Sequence, residues 1–313
     1  MDRAEEESQR WMWVDNQKRL ELARKGILES SVIGIDTEYD SFRYFRDKLC
    51  LVQVKTRKRV YILDPLGGMD LSFLREAFSS QSLLKIFHAG DNDIRLLRRD
   101  YAFEFQNVFD TQRAAGLLGR AHLALASLIQ DFLGIRIEKN KKIQRSRWDV
   151  RPLTREQLTY AVADAAYLID LFRKMEKDLK VKGLEQSAHR AFQSVADSAW
   201  QERTLDQRGH EKIRGYSLLS ARQQRRVRDL YRWRFYKAKE MNRAVFMILS
   251  DQRLVELSCL SVPSLEVLFG KGILLPDWSK LYGQEILQVL RGRTDEQSAV
   301  VLPDTGSEGD QTS

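Results

Sequence analysis

Acidic residues that adjoin apolar runs are the feature that most constrains how this chain folds. Asp36 and Glu38 end the run Val-Ile-Gly-Ile-Asp-Thr-Glu, Asp93 follows a second apolar run, and Asp164 stands among alanines and a valine. An ionised carboxylate that is buried without a partner costs several kcal/mol or more. We therefore expect the four acids to converge on a shared set of cations.

The four carboxylates predict a site for divalent metal ions. Oxygen ligands favour hard ions such as Mg²⁺ and Mn²⁺. A carboxylate cluster that holds two such ions is typical of sites that cleave phosphodiester bonds. The four histidines form no cluster with the cysteines, so the sequence does not indicate a zinc site.

The order of apolar segments predicts an α/β fold in the first 180 residues, with strands alternating with helices. Asp36 and Glu38 are two residues apart, so they share one face of a strand. They stand at its carboxyl end, where open α/β sheets build their sites. Asp93 falls in the first turn of a helix, where Asp91 would favour the helix N-terminus equally well.

A predicted helix carries the fourth acid together with a tyrosine. The capping-box pattern Thr154–Gln157 marks its start, and we expect one helix from there to about Lys180. Tyr160 and Asp164 are four residues apart and share a helical face. A further amphipathic helix is predicted over residues 12–25.

Length and composition indicate a two-domain protein without a membrane segment. The chain has 313 residues, of which 43% are hydrophobic. No stretch approaches the ~18 consecutive apolar residues of a membrane helix. The acidic N-terminus lacks the apolar core of a signal peptide. Cys50 and Cys259 lie among apolar residues and are expected to be buried in a reducing compartment, so a cytoplasmic location is expected.

Positive charge is concentrated in one segment. The formal net charge is +8, and residues 208–243 contain twelve Lys and Arg against three acids, a net +9. Val227, Leu230 and Trp233 recur at helical spacing and should be core, which leaves the arginines between them for solvent or phosphate. A second basic run, residues 138–148, is predicted to be a loop that includes Lys139. Both segments indicate a polyanionic partner.

Three motifs occur in a fixed order along residues 14–180. The first is Asp36-Thr-Glu38 with Leu51-Val-Gln53, the second is His88-Ala89 with Asp93, Leu97 and Phe109-Asp-Thr111, and the third is Trp148, Arg151-Pro-Leu153, Tyr160 and Asp164. In this order they resemble the DEDD superfamily of 3′–5′ exonucleases, in its ribonuclease D branch. Thr159 stands where the sister branch has a histidine, which places the resemblance in the tyrosine branch. Arg147 departs from the family's Ser-Asp-Trp pattern.

The resemblance implies a ribonuclease H-like, three-layer exonuclease domain with a mixed sheet. It implies two divalent ions, Mg²⁺ or Mn²⁺, and no small-molecule organic cofactor. Tyr160 would contact the attacking water, and since a phenol with a pKa of ~10 is a poor base at pH 7, we expect it to orient that water. We expect His88 to form a structural hydrogen bond and Trp148 to pack. The implied ligands are Asp36, Glu38, Asp93 and Asp164, and the implied catalytic residues are these four with Tyr160.

The C-terminal part resembles the HRDC domain, the C-terminal module of helicases and ribonuclease D. Trp233-Arg234, Ile248-Leu249-Ser-Asp251 and Tyr282-Gly283 carry the resemblance, which covers residues 216–291. It implies an all-α helical bundle that binds nucleic acid. The predicted boundaries are 1–182 for the exonuclease domain, 183–212 for a helical connector, 213–292 for the HRDC-like domain and 293–313 for a disordered acidic tail.

The two resemblances together imply an exoribonuclease that trims RNA 3′ ends to nucleoside 5′-monophosphates, with tRNA precursors among its expected substrates. A DNA 3′–5′ exonuclease and a catalytically silent nucleic-acid-binding protein remain open as alternatives. The side chains expected to contact nucleic acid are Lys141, Lys142, Arg145, Arg147, Arg225, Arg228 and Arg232.

Overall fold

The chain forms two compact units, which divide between Glu202 and Arg203. The computed structural model describes residues 11–137, 140–270 and 276–292, and the predicted acidic tail lies outside these ranges. Among the described helices, none combines the length and the apolar character that crossing a membrane requires.

The first unit alternates strands and helices around one sheet. Its strands are β1 (Trp11–Val14), β2 (Val32–Asp40), β3 (Lys48–Lys55), β4 (Val60–Leu63), β5 (Leu84–Phe87) and β6 (Val108–Asp110). Its helices are α1 (Gln17–Leu28), α2 (Leu74–Ser79), α3 (Asp91–Tyr101), α4 (Thr111–Leu117), α5 (Leu125–Leu133), α6 (Lys141–Gln144), α7 (Arg155–Ala166), α8 (Leu168–Val181) and α9 (Glu185–Ala196).

The sheet is mixed and has the strand order β1-β4-β3-β2-β5-β6. Strand β3 runs antiparallel to both of its neighbours, β2 and β4. The pairs β1–β4, β2–β5 and β5–β6 are parallel. The predicted α/β class with a mixed sheet is confirmed.

Helices cover both faces of the sheet and bury its apolar side chains. On one face, Ile33 packs in a cluster with Ile27 of α1 and Ile94 of α3. On the other face, Ile62 of β4 packs in a cluster with Ala161 of α7. This gives the three layers that the resemblance implied.

The single helix predicted from Thr154 to Lys180 is wrong. The capping box at Thr154 and Gln157 is present, but α7 ends at Ala166 and α8 begins at Leu168. Helix α7 packs across β2, β3 and β4, whereas α8 packs on the helices α4 and α5 and on β2 and β5. Local periodicity contains no information about this change of partner.

The helix predicted over residues 12–25 also needs correction. The segment begins as strand β1, whose Trp11 pairs with Val60 of β4, and α1 begins only at Gln17. Pairing with a distant strand decides the conformation here, and helical periodicity cannot detect it. Cys50 is buried as expected, but Cys259 is exposed, so the expectation of burial is wrong for the second cysteine.

The second unit is helical, as predicted. Its core contains Val227 and Leu230 of the long first helix, with Leu254, Leu257 and Ile286 from the later ones. Trp233 is only partly buried against this core. The helices are α10 (Ala221–Met241), α11 (Val245–Ile248), α12 (Asp251–Ser258), α13 (Leu265–Gly270) and α14 (Pro276–Leu290).

The segment predicted as a connector, residues 183–212, crosses the division between the units. Its helix α9 contacts α4 and β6 of the first unit. Phe192 of α9 packs against Phe109 of β6, with 4.5 Å between the ring centroids. The part after Glu202 belongs to the second unit.

Candidate active site

Three of the predicted metal ligands converge. Asp36, Glu38 and Asp164 each bring one carboxylate oxygen within 4.8 Å of the others. Glu38 is buried and the other two are half-buried. Carboxylates this close repel one another unless a cation or bound protons neutralise them. The donor set therefore fits a hard divalent ion.

The fold explains why these three side chains meet. Asp36 and Glu38 alternate with the core residues Ile33 and Ile35 along β2, so they share the opposite face of the strand, which α7 covers. Parallel pairing of β5 with β2 spans only Val32–Gly34 among the described residues. The two acids thus lie on a part of β2 that extends beyond its pairing with β5.

Tyr160 stands one helical turn before Asp164 on α7 and belongs to the same group. Its hydroxyl forms a hydrogen bond with Asp164. Burial raises the pKa of Tyr160 well above its usual value, and the charges of Asp164, Glu38 and Asp36 raise it further. The phenol therefore retains its proton and serves as a hydrogen-bond donor.

Asp93 lies outside the three-carboxylate group but adjoins the same strand. It accepts a hydrogen bond from the hydroxyl of Thr37, the residue between Asp36 and Glu38. Burial raises the pKa of the Asp93 carboxyl to about 7, although the Thr37 hydrogen bond opposes this. A cation nearby would favour its ionised form. Asp91, the alternative acid on this turn, instead pairs with Arg113 at 2.9 Å.

Trp148 packs beside Tyr160. The indole is almost completely buried, and its ring centroid lies 6.1 Å from that of Tyr160. Its N–H donates to the Gln144 carbonyl at 3.2 Å. The expectation that Trp148 packs rather than stacks on a base is confirmed for the described structure.

Arg151 fastens the segment before α7 to the sheet. Its guanidinium donates to both oxygens of Asp64 at 2.7 Å. It also donates to the carbonyls of Trp148 and Cys50, at 2.7 and 2.8 Å. The sequence motif included Arg151 without a role and missed Asp64, whose only local signal is its position between β4 and Pro65.

His88 has the structural role expected for it. Its Nδ1 lies 2.9 Å from the hydroxyl oxygen of Thr111, and this hydroxyl donates its proton to the Phe87 carbonyl at 3.1 Å. Asp110 caps α4 and accepts a hydrogen bond from the Gly90 backbone. These contacts join the end of β5 to the start of α4.

The basic run before Trp148 contains the short helix α6, so its prediction as a loop is only partly right. Lys141, Lys142 and Arg145 are exposed, and Lys139 lies outside the described residues. Arg147 pairs with both oxygens of Asp149, at 2.7 and 2.9 Å.

This ion pair holds Arg147, the residue that departs from the family's Ser-Asp-Trp pattern. The hydrogen bonds from Arg147 hold the pKa of Asp149 down at about 2. Tyr44 donates to the same carboxylate at 3.0 Å. An anionic ligand that recruited Arg147 would therefore compete with Asp149, a residue that sequence reasoning missed.

The basic helix α10 uses its arginines in two ways. Arg225, Arg228 and Arg232 are exposed. Arg226 and Arg234 are buried and donate to main-chain carbonyls. Arg226 reaches Ser258, Leu260 and Leu290, and Arg234 reaches Leu249 and the Asp251 carboxylate. The positive charge available to a ligand is thus smaller than the net +9 of the segment, because the buried Arg226 and Arg234 bind carbonyl groups inside the unit.

Comparison with known protein families identifies both units. Residues 11–180 match the family of 3′–5′ exonuclease domains, and residues 223–290 match the HRDC domain. A ribonuclease D from Sphingobium indicum is 29% identical over 257 residues, which cover 78% of this chain and 63% of that protein. The chain belongs to the ribonuclease D family of 3′–5′ exonucleases. The resemblance read from the three motifs is confirmed.

Other relatives of this ribonuclease D family member are longer proteins. Protein RRP6-like 3 of Arabidopsis thaliana is 29% identical over 278 residues, which cover 81% of the chain and 31% of that protein. The chain thus spans less than a third of that relative. The crystal structure of the RRP6 catalytic core from Trypanosoma brucei has the same fold, with a TM-score of 0.80 and 23% identity over 94% of this chain and 81% of that chain.

Proposed function

We propose that this protein is a metal-dependent 3′–5′ exoribonuclease that shortens RNA from its 3′ end and releases nucleoside 5′-monophosphates. The convergence of Asp36, Glu38 and Asp164 within 4.8 Å carries the proposal. With Asp93 beside the same strand, these residues would hold two divalent ions, Mg²⁺ or Mn²⁺. Such ions supply charge neutralisation and activation of water for phosphodiester hydrolysis.

The side chains of the site have different roles in the proposed reaction. The carboxylates fix the position of the cations and thereby of the terminal phosphodiester. Tyr160 keeps its proton and donates a hydrogen bond, so its role is to orient the attacking water. Trp148 and Arg151 hold the start of α7 and keep Tyr160 and Asp164 in register with β2.

RNA is the proposed substrate because the relatives with named activities include a ribonuclease D and the exosome complex exonuclease RRP6 of Saccharomyces cerevisiae. Precursors of tRNA and other structured RNAs are the proposed natural substrates, and the cytoplasm is the proposed location. Assembly with an exosome is a further proposal that rests on these relatives' names alone. The carboxylates themselves do not distinguish RNA from DNA.

The proposed nucleic-acid contacts come from both units. In the first unit they are the exposed side chains of the run before Trp148, with Arg147 released from Asp149. In the second unit they are the exposed arginines of α10. The residues are Lys141, Lys142, Arg145, Arg147, Arg225, Arg228 and Arg232.

The decisive experiment uses 5′-labelled single-stranded RNA, DNA of the same sequence and a tRNA precursor, each with Mg²⁺ or EDTA. We expect stepwise shortening of RNA from the 3′ end, with release of nucleoside 5′-monophosphates that chromatography detects. EDTA and Asp36→Asn should each abolish the reaction, since both remove the bound cations. Activity of Asp36→Asn at the wild-type level would refute the metal site, and preferential cleavage of DNA would refute the proposed substrate.

A further inference from the structure

Gln53 occupies a position next to the candidate metal centre. It lies on β3 directly opposite Asp36 of β2 in the antiparallel register. Residues that face one another in this way share a face of the sheet, with Cβ atoms about 5 Å apart. The Gln53 side chain therefore projects toward α7 from the same side as the carboxylates.

The Gln53 amide has no partner among the described residues. The residue is completely buried, and neither its Nε2 nor its Oε1 makes a hydrogen bond there. Burial of an unpaired amide is unfavourable, and buried polar groups in native proteins are nearly always paired. An amide in this position needs a reason other than packing, because Met or Leu would fill similar space without the unpaired polar atoms.

The surroundings of Gln53 narrow the choice of partner. Its neighbour on the other side, Ile62 of β4, is apolar and fully buried. Ala161 and Ala165 of α7 belong to the same apolar cluster as Ile62. The polar group directly opposite the amide is Asp36, a predicted ligand whose carboxylate has two oxygen atoms, and Glu38 lies one pair further along the same face of β2.

We propose that Gln53 is a positioning residue that donates an amide hydrogen bond to the Asp36 carboxylate when the cation is bound. The bond would hold the oxygen that does not face the ion and so fix the carboxylate in its binding orientation. Groups that hydrogen-bond metal ligands in this way typically contribute about 10- to 100-fold to metal affinity. The inference rests on the metal site of the proposed function.

The test measures Mn²⁺ affinity of the full chain by calorimetry and by electron paramagnetic resonance of free Mn²⁺. We expect Gln53→Met and Gln53→Leu to weaken binding about 10- to 100-fold. Thermal unfolding in EDTA should show no loss of stability in either variant, because the unpaired amide has been removed. Ile62→Met is the matched control, since it changes the adjacent buried side chain of the same cluster and should leave the affinity near that of the wild type.

The results separate the inference from the function on which it rests. If Asp36→Asn abolishes binding while both Gln53 variants bind as wild type does, the role of Gln53 is refuted and the metal site stands. If Asp36→Asn binds as wild type does, the metal site itself is refuted. An equal loss of affinity in Ile62→Met would show that packing alone is responsible, which also overturns the inference.

Discussion

At the scale of single residues, Tyr160 shows how environment decides a chemical role. The same phenol in water would lose its proton near pH 10. Here burial and three nearby carboxylates raise its pKa, so the phenol loses its proton only at a pH still farther above neutral. Cations at the site would offset the carboxylates but would leave the burial unchanged. A protonated donor beside Asp164 is the consequence.

We expect Tyr160→Phe to lower kcat by about 100-fold, because the water loses the group that orients it. Mn²⁺ affinity should fall by no more than about 10-fold, since the phenol is not a ligand and the variant removes only its hydrogen bond to Asp164. Because Tyr160 stays protonated, the alkaline limb of the pH–kcat profile should keep its position in the variant. Single-turnover cleavage of labelled RNA across pH measures the loss of rate and the position of the alkaline limb. Calorimetry measures the Mn²⁺ affinity.

The adjacent Thr159→Ala provides the control for that substitution, since Thr159 is exposed and its hydroxyl donates to the Arg155 carbonyl of its own helix. Undiminished turnover in Tyr160→Phe would remove Tyr160 from the mechanism. A loss of Mn²⁺ affinity as large as the loss of kcat would instead make it part of the metal site.

At the scale of secondary-structure elements, the approach of α7 and α8 to β2 assembles the site. Gly34 permits this approach. A Cβ atom on Gly34 would lie 2.8 Å from the Cβ of Leu168 and 3.5 Å from the Ala165 carbonyl oxygen. Neither atom is the end of a flexible side chain, so the junction of the two helices would have to move away from the strand.

We expect Gly34→Ala to lower the free energy of unfolding by about 1–3 kcal/mol, as overpacking of a core does. The same displacement separates Asp164 from Asp36 and Glu38, so Mn²⁺ affinity should fall as well. Urea unfolding and calorimetry measure the two effects.

Gly116→Ala is a matched control, in which we expect stability to rise instead of fall. Gly116 lies in α4, and a Cβ atom there would meet nothing within 4 Å. Alanine should stabilise that helix by up to about 1 kcal/mol. If Gly34→Ala behaves like Gly116→Ala in both assays, close packing at Gly34 does not hold the site together.

Local spacing predicted the pairs within one element. The two-residue spacing of Asp36 and Glu38 and the four-residue spacing of Tyr160 and Asp164 each require one shared face, and the structure has both. The order of strands and helices gave the α/β class for the same reason.

Contacts between elements remote in sequence could not be predicted. Arg151 pairs with Asp64, 87 residues away in sequence, and the pairing of β1 with β4 replaces only the first residues of the helix predicted over residues 12–25. The direction of α8 depends on α4 and α5, which its own sequence does not specify. Asp149 was missed although it is only two residues from Arg147, because a surface acid beside an arginine is too common to indicate a particular pair.

At the scale of the whole molecule, buried basic side chains must be distinguished from exposed ones before positive charge indicates a binding surface. The buried Arg226 and Arg234 hold the second unit together through carbonyls and one acid. Arg225, Arg228 and Arg232 have spacings of three and four residues along α10, so they share an exposed face. We propose that this face is one part of the basic segment that contacts RNA phosphates and releases their counterions.

We expect the triple substitution of Arg225, Arg228 and Arg232 by Gln to weaken RNA binding and its salt dependence together. Each lost phosphate contact should reduce the slope of log K against log salt by about 0.7 for single-stranded RNA. Fluorescence anisotropy over a range of KCl concentrations measures affinity and slope. Cleavage of a dinucleotide, which is too short for remote contacts, should persist.

Lys174, Lys177 and Lys180 of α8 offer a control with the same loss of three charges, since all three are exposed in the first unit. Their replacement by Gln should reduce the slope less than the arginine triple does. Equal slopes in the two triples would show that net charge, and not the face of α10, attracts the RNA.

The clamp between Arg151 and Asp64 has a consequence for how this family can diversify. It attaches the chain to the sheet immediately before α7, and together with the buried Trp148 it fixes the start of the helix that carries Tyr160 and Asp164. Surface segments tolerate insertions far better than packed elements do. We therefore expect an insertion between α5 and α6 to leave the positions of Tyr160 and Asp164 relative to the sheet unchanged.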